Sequence, residues 1–224
     1  MAAWITVDEG TGMTGIRHDF LDTARAAAAL LREPAVAAAW DRLSALPEFS
    51  VGGLAGHLAY QVLALPEILA APVPEEPIVG LLDHYARAAW VGASLDADIN
   101  VAIRRGGDRE AAGGAAALAE RTESAIGELT ALLASAENRP VRIGFWGPWS
   151  LTLDDMLVTR MMELAVHADD LAVSVGVPAP PLPERAVERV VDLLSRLAVR
   201  RHGPTAVLRA LSRAERSPAT IAAF

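Results

Sequence analysis

The stretch "LTLDDMLVTRMMELAVHADDLAVSVG", residues 151–176, carries the clearest helical pattern in the chain. It begins with Asp154 and Asp155, which suit the positive end of a helix, and it ends at Gly176, a residue that commonly closes helices. Leucine, valine, methionine and alanine cover most of the circumference of the predicted helix. A helix this apolar needs other helices to pack against, so the stretch favours an all-α fold.

Polar side chains follow a single line along this predicted helix. Steps of three and four residues keep Arg160, Glu163, His167 and Asp170 on one face. Buried polar groups cost roughly 1–3 kcal/mol each unless they are paired. A metal or a solvated cavity inside the bundle would satisfy them. The alternative is that the line faces solvent and forms ordinary surface pairs.

A second histidine lies in a similar apolar setting. His57 falls in the middle of "VGGLAGHLAYQV", residues 51–62, with Gln61 one turn later on the same face. A lone histidine on an apolar helix is usually a hydrogen-bonded core residue. Together with Glu163 and His167, however, His57 becomes a candidate third ligand, because two imidazoles and one carboxylate bind divalent transition metals and leave a position for water or substrate. Asp170 is placed to orient His167 or to accept a proton.

The remaining histidines and the glycine pairs are given structural interpretations. His84 is expected to be a core residue that could also line a pocket, and His18 and His202 belong to helix ends or surfaces. Gly106-Gly107 and Gly113-Gly114 follow no predicted strand and precede no P-loop lysine, so we expect helix breaks and loops there rather than phosphate cradles.

The organisation of the whole chain supports a helical bundle. Hydrophobic residues make up 52% of the sequence and aromatic residues 5%, a balance that favours helices packed on helices. Residues 1–13 are expected to form a short tail. Helical patterns then cover residues 14–43, 51–72, 78–105, 108–137, 151–176, 184–201 and 202–216, with breaks expected at Pro34 and Pro66. We predict a four-helix bundle over residues 14–178 and a helical extension packed on it over residues 179–224.

One segment does not fit the helical pattern. "RPVRIGFWGPWS", residues 139–150, is expected to be extended but has too few β-branched residues to start a sheet. In the extension, the apolar stripe of "RVVDLLSRLAV", residues 189–199, must pack against something. That partner is either the chain's own bundle or a second copy in a homodimer.

Charge and cysteine content exclude several classes of function. The formal net charge is −8, from 28 acidic and 20 basic residues, and no basic cluster stands out, so we expect no nucleic acid and no membrane partner. The chain has no cysteine, which excludes disulfides, a cysteine-ligated zinc and a cysteine nucleophile. Thiol chemistry would therefore require a bound thiol. Neither a leader nor a spanning segment is indicated, so a cytoplasmic location is expected.

Three segments together resemble a known family. They are "FSVGGLAGHLA" at 49–59, "RPVRIGFWGPWSL" at 139–151 and "LVTRMMELAVHADDLAVSVG" at 157–176. This combination is similar to the metal-binding domain of mycothiol-dependent maleylpyruvate isomerases, a branch of the DinB-like four-helix bundle superfamily. The likeness runs from about Thr14 to Gly176. The histidine motif is weak alone, but joined to the Arg-x-x-Glu-x-x-x-His-x-x-Asp string at 160–170 it is fairly specific.

The resemblance implies a divalent metal, usually zinc, held by His57, Glu163 and His167, with mycothiol as a thiol cosubstrate and a small electrophile as substrate. Asp170 would support a ligand, and Arg160 would anchor an anion or pair with Glu163. Family isomerases carry a separate C-terminal α/β domain that the helical pattern of residues 179–224 does not match, so substrate contacts from that domain cannot be carried over. The rival hypotheses are a non-catalytic helical metal-binding or interaction module, and a non-haem iron oxygenase with the same ligand set.

Overall fold

The computed structural model describes residues 13–224, and these residues are mostly helical. The tail predicted for residues 1–13 lies outside the described residues except for Met13. The helices are α1 (Gly15–Leu31), α2 (Pro34–Ala38), α3 (Val51–Leu63), α4 (Leu65–Ala70), α5 (Leu81–Arg87), α6 (Asp98–Ala111), α7 (Gly114–Ser135), α8 (Leu153–Val175), α9 (Glu184–His202) and α10 (Pro204–Ser212). Strands β1 (Pro140–Val141) and β2 (Leu151–Thr152) precede α8, and a 3-10 turn covers Ala214–Arg216. The predicted all-α fold is confirmed.

Four of these helices form the bundle. Helices α1 and α3 pack against both α7 and α8, and also against each other. Their facing side chains are almost completely buried, as Phe20, Leu54, Leu129 and Met156 illustrate. The apolar circumference of α8 is explained by this arrangement, because α8 contacts α1 on one side and α3 on another.

Two helix starts follow directly from local sequence. The Ser50 side chain accepts a hydrogen bond from the backbone N–H of Gly53 at 2.9 Å, so Ser50 caps α3. Thr152 accepts one from the N–H of Asp155 at 3.1 Å and caps α8 in the same way. At the other end of α8, Gly176 adopts a left-handed conformation with φ of 73°, which glycine tolerates without strain. These caps fix the rotation and length of the two helices that carry the candidate ligands.

The predicted helix break at Gly106-Gly107 is wrong. Helix α6 continues through both glycines to Ala111, and the chain breaks before Gly114 instead. Gly107 is retained for packing, because a Cβ atom there would lie 2.3 Å from the carbonyl oxygen of Gly53 on α3, and a Cβ atom on Gly56 would lie 2.0 Å from the carbonyl oxygen of Gly107. The glycines let the backbones of α3 and α6 touch.

Two further expectations need correction. The helix expected over residues 78–105 is divided, since α5 ends at Arg87 and turns occupy residues 88–97, with Gly92 at φ of 75°. The segment at 139–150 does pair, because β1 and β2 form a two-residue antiparallel ladder that aligns Pro140 with Thr152.

The breaks expected at Pro34 and Pro66 are present, with each proline in the first turn of a short helix.

Helix α9 packs on the bundle. It contacts α1 and α8, and it buries Ala186, Val190, Leu193 and Leu197 in the same core as the bundle. The apolar stripe of residues 189–199 is thus covered, at least on this face, by the chain's own helices. The homodimer stays a prediction. Within residues 13–224, no helix combines the length and apolar character needed to cross a membrane.

Candidate metal centre

Helices α3 and α8 bring the three predicted ligands together. The Nε2 atom of His167 lies 3.1 Å from Oε2 of Glu163, and Nε2 of His57 lies 3.5 Å from the same oxygen. The two imidazole rings are 4.8 Å apart between centroids and nearly perpendicular. One ligand atom from each residue falls within 4.8 Å of the other two. Three donors from separate positions in the sequence therefore converge on one small volume.

Asp170 contacts the far side of one of these imidazoles. Its Oδ2 atom lies 3.0 Å from Nδ1 of His167. An N–H on Nδ1 that donates to this carboxylate leaves the Nε2 lone pair of a neutral His167 facing the other ligands. This is the position that the sequence predicted for Asp170. The same carboxylate also makes the imidazole more basic.

The ionisable groups of the cluster have strongly shifted pKa values. Burial lowers the pKa of His57, although its hydrogen bond to Glu163 opposes the shift. Burial also acts to lower the pKa of His167, but the hydrogen bonds to Asp170 and Glu163 outweigh it and raise the pKa to about 9. Burial alone would raise the pKa of Glu163, yet the hydrogen bonds from His167 and His57 hold it well below its usual range. Without metal, the cluster is a carboxylate beside one imidazolium and one neutral imidazole.

Arg160 does not pair with Glu163 as one interpretation predicted. Its Nη1 donates to the side-chain oxygen of Gln61, and its Nε donates to the hydroxyl of Thr159 at 3.1 Å. The guanidinium carbon lies 5.6 Å from the ring centroid of Trp146. Arg160 is only 7% exposed, and its two side-chain hydrogen bonds go to Thr159 and Gln61 rather than to a carboxylate. A buried cation of this kind is available to an anion from outside the chain.

The cluster and Arg160 line one cavity of about 680 Å³. Its wall is largely apolar, and the phenyl, phenol and indole side chains that line it are those of Phe49, Tyr60, Trp90, Phe145, Trp146 and Phe224. The side chains of His57, Glu163 and His167 are 14–18% exposed. The polar line on α8 thus faces a cavity rather than bulk solvent. A cavity of this size holds a small molecule as well as a metal.

The loop between β1 and β2 supplies part of this wall. Arg142 fixes the loop, because its Nε donates to the carbonyl of Gly147 at 2.9 Å and its Nη1 pairs with Glu76 at 2.9 Å. Phe145 and Trp146 at the loop tip then face the cavity. The sequence predicts an extended segment here, but no pattern in it indicates that Trp146 packs against Arg160.

His84 is a core histidine, in agreement with its structural interpretation. It is 3% exposed, and its Nδ1 accepts a hydrogen bond from Nε1 of Trp149 at 3.1 Å. Burial, and secondarily the charge of Arg160, lowers its pKa to about 4. His84 packs 4.4 Å from the Trp146 ring, so it supports the cavity wall. His18 lies on α1, and His202 ends α9, where its Nε2 is 2.8 Å from the carbonyl oxygen of Ala222.

Sequence reasoning missed the residues that reach the cavity from distant segments. Trp90 comes from the turn after α5, Arg109 from α6 and Phe224 from the last position of the sequence. Phe224 packs on Trp90 with ring centroids 4.8 Å apart and on Tyr85 at 5.5 Å. None of these positions carries a local pattern that indicates a binding site, because only tertiary packing brings them together.

The residues present fit a divalent transition metal. Two imidazole nitrogens and a carboxylate oxygen are a common donor set for such ions, and Asp170 provides the outer hydrogen bond that usually accompanies a histidine ligand. The low pKa of Glu163 keeps this donor ionised. A metal held by these three side chains would keep coordination positions for other ligands.

The architecture and the ligand cluster together define a helical-bundle protein with a candidate metal centre of the DinB-like kind. The family model of the mycothiol maleylpyruvate isomerase N-terminal domain matches residues 20–172, a span that includes all three candidate ligands. The chain belongs to this family, as the sequence motifs predicted, and the family binds metal. Neither a curated protein nor a solved structure matches the chain.

Proposed function

We propose that this protein is a metal-dependent enzyme that uses a small thiol, mycothiol, to modify or isomerise a small electrophile. The observation that carries the proposal is the convergence of His57, Glu163 and His167, each with a ligand atom within 4.8 Å of the others, at the wall of a cavity of about 680 Å³. A purely structural metal site would be closed by protein ligands, whereas this set leaves room for a thiol. Family membership supports the choice of mycothiol.

Each residue of the cluster has a defined part in the proposal. His57, Glu163 and His167 hold zinc or a similar divalent ion, and Asp170 orients His167 through the 3.0 Å contact to Nδ1. A metal bound here would lower the pKa of a thiol and supply thiolate at neutral pH. The thiol has to come from outside, because the chain contains no cysteine.

The proposed chemistry forms a carbon–sulfur bond. The thiolate sulfur attacks an electrophilic carbon, and the electron pair moves to a leaving group or to a conjugated carbonyl oxygen. In transfer, the leaving group departs with that pair and the thioether is the product. In isomerisation, rotation about the former double bond follows the addition. The electron pair then returns from the oxygen to re-form the carbon–carbon double bond, and the carbon–sulfur bond breaks with its pair on sulfur, which releases the thiolate. Arg160 would stabilise negative charge that develops on the substrate.

Metal content tests the site. Elemental analysis of the wild type should give about one divalent ion per chain, and the His57→Ala and His167→Ala variants should lose it. His18→Ala is the matched control, because this histidine lies on α1 outside the cluster. Circular dichroism establishes that all four proteins are folded. Full metal content in a folded His167→Ala variant would contradict the ligand assignment.

Turnover distinguishes the enzyme from a binding module. The metal-loaded protein is mixed with mycothiol and a small electrophile, either an alkyl halide or an activated cis-alkene, and both thiol consumption and conversion of the cis-alkene to its trans isomer are followed. Consumption or isomerisation that requires the metal and is lost in His167→Ala supports the enzyme. Metal binding without turnover of either electrophile would support the non-catalytic module instead.

A further inference from the structure

The cavity beside the cluster of candidate metal ligands combines aromatic walls with a buried cation, Arg160, that has no direct ion-pair partner among the described residues. Arg160 is 7% exposed, and its two recorded hydrogen bonds go to neutral oxygens, those of Gln61 and Thr159. Hydrogen bonds to neutral groups do not balance a guanidinium charge in a poorly solvated site. A ligand anion would balance it. The planar fork of arginine matches a carboxylate, with which it can form two parallel hydrogen bonds.

Neither carboxylate of the cluster forms a direct ion pair with Arg160, although the charges of Arg160 and Glu163 attract each other at longer range. Glu163 lies between the two imidazoles, and Asp170 contacts Nδ1 of His167. Arg160 is instead held by Gln61, whose amide nitrogen donates to the backbone carbonyl of His57 at 2.9 Å. Gln61 therefore fixes the guanidinium relative to the first metal ligand. The cation and the cluster are separate binding elements within one cavity.

The aromatic walls indicate the chemical character of the part of the ligand that lies beyond its anionic group. Trp90 and Phe224 form one aromatic pair in the wall, with centroids 4.8 Å apart and ring planes tilted by 57°. Phe145 and Trp146 reach the cavity from the loop between β1 and β2, and Phe49 adds a further ring 6.0 Å from His57. Aromatic rings pack favourably against the faces and edges of other rings. A flat apolar body fits this wall. Among the described side chains that line the cavity, the second guanidinium is that of Arg109, which is exposed on α6, so Arg160 is the buried one.

We infer that the cavity takes an aromatic monocarboxylate, with its carboxylate on Arg160 and its ring against the aromatic wall. This inference deepens the proposed function, on which it rests for the idea that the cavity is the substrate site. Because binding to Arg160 needs neither metal nor thiol, it can be measured separately from turnover.

The test is a titration of the full chain, metal-free and zinc-loaded, with three probes. The probes are 3-phenylpropionate, its uncharged amide, and succinate, and isothermal calorimetry reports binding. The carboxylate should bind about tenfold or more tighter than the amide, the ratio expected for one charge-assisted pair. It should also bind tighter than succinate. Equal affinity for acid and amide, or tighter binding of succinate, would overturn the inference.

Two variants locate the binding group. Arg160→Gln should weaken 3-phenylpropionate by about tenfold or more, while Arg25→Gln, at an exposed residue of α1, should leave affinity unchanged. Unchanged affinity in a folded Arg160→Gln variant would overturn the assignment. If that variant does not fold, the comparison of the acid with the amide on the wild-type protein decides whether the cavity recognises a carboxylate. Tight binding of the acid without thiol turnover would refute the proposed enzyme and support the aromatic monocarboxylate site. Thiol turnover without binding of the acid would support the enzyme and overturn the aromatic monocarboxylate site.

Discussion

Two histidines that face the same carboxylate oxygen titrate in opposite directions. His57 and His167 both lie within 3.5 Å of Oε2 of Glu163, but only His167 has a second carboxylate, Asp170, on its other nitrogen. Burial prevails at His57 and lowers its pKa, whereas the two carboxylates prevail at His167 and raise its pKa to about 9. The free protein therefore holds one proton where a metal would bind.

Proton release on metal binding follows from this difference. At pH 7 His167 is protonated in the metal-free protein, because its pKa is about 9, and it must become neutral to coordinate. His57 is already neutral, since its pKa is lowered. Metal binding at pH 7 should release about one proton, and affinity should fall as the pH decreases below about 9. Calorimetry in two buffers with different ionisation enthalpies measures the release. No proton release, or affinity that rises on acidification, would contradict the assignment.

Asp170→Asn tests the support of His167 without removing a metal ligand. The amide cannot accept a charge-assisted hydrogen bond from Nδ1, so the imidazole becomes a weaker and less well oriented donor. Metal affinity should fall by about 10–100-fold. Asp169→Asn is the matched control, because Asp169 is its exposed neighbour on the same helix. Competition with a zinc chelator gives the affinities, and equal values for the two variants would show that Asp170 has no supporting role.

At the scale of elements, the contact between α3 and α6 holds the cavity in shape. Helix α3 carries His57, and α6 contributes several residues of the cavity wall. An added Cβ atom on Gly56 of α3 would lie 2.0 Å from the carbonyl oxygen of Gly107, and one on Gly107 of α6 would lie 2.3 Å from the carbonyl oxygen of Gly53. Backbone atoms cannot move aside as a flexible side chain can. The close approach of the two helices therefore depends on the missing side chains of Gly56 and Gly107.

Gly107→Ala should destabilise the protein by about 1–3 kcal/mol or more, since it forces α3 and α6 apart. Gly106→Ala is a matched control one position earlier, because a Cβ atom there meets only the tip of Arg109 at 3.7 Å. The control should be neutral or stabilising by up to about 1 kcal/mol, as alanine favours helix over glycine. Urea denaturation compares the two variants. Equal stability would mean that the helices can separate without cost.

The packing of Gly107 explains why the helix break predicted at residues 106–107 is wrong. A glycine pair lowers local helix propensity, and that property alone predicted a break at residues 106–107. Only the facing backbone of α3 shows why the pair is inside a helix. Where the signal is local the prediction held, as with the helix end at Gly176 and the prolines at 34 and 66.

At the scale of the whole molecule, the candidate ligands were easier to predict than the cavity they line. Glu163, His167 and Asp170 share one face of one helix, so periodicity alone groups them. The cavity wall collects Trp90, Trp146 and Phe224 from separate segments, and no spacing in the sequence relates them. Motifs on single elements can be read directly, whereas walls assembled by tertiary packing cannot.

The extension of residues 179–224 is attached to the bundle through α9. Helix α9 places Leu193 in the core at 2% exposure, and Arg189 pairs with the nearly buried Asp19 of α1 at 2.8 Å. No residue of α9 is among the described residues that line the cavity. We therefore expect α9 to support the fold without taking part in the site.

Leu193→Ala should lower the free energy of unfolding by about 2–5 kcal/mol, because it leaves a cavity between α9 and the bundle. Val191→Ala is the matched control on the same helix, since Val191 is 54% exposed, and it should change stability by no more than about 0.5 kcal/mol. Both variants should keep the metal content of the wild type. Thermal and urea unfolding, with elemental analysis of the folded proteins, make the comparison. A folded Leu193→Ala variant of unchanged stability would mean that α9 is only loosely attached, and one that had lost its metal would mean that α9 shapes the site after all.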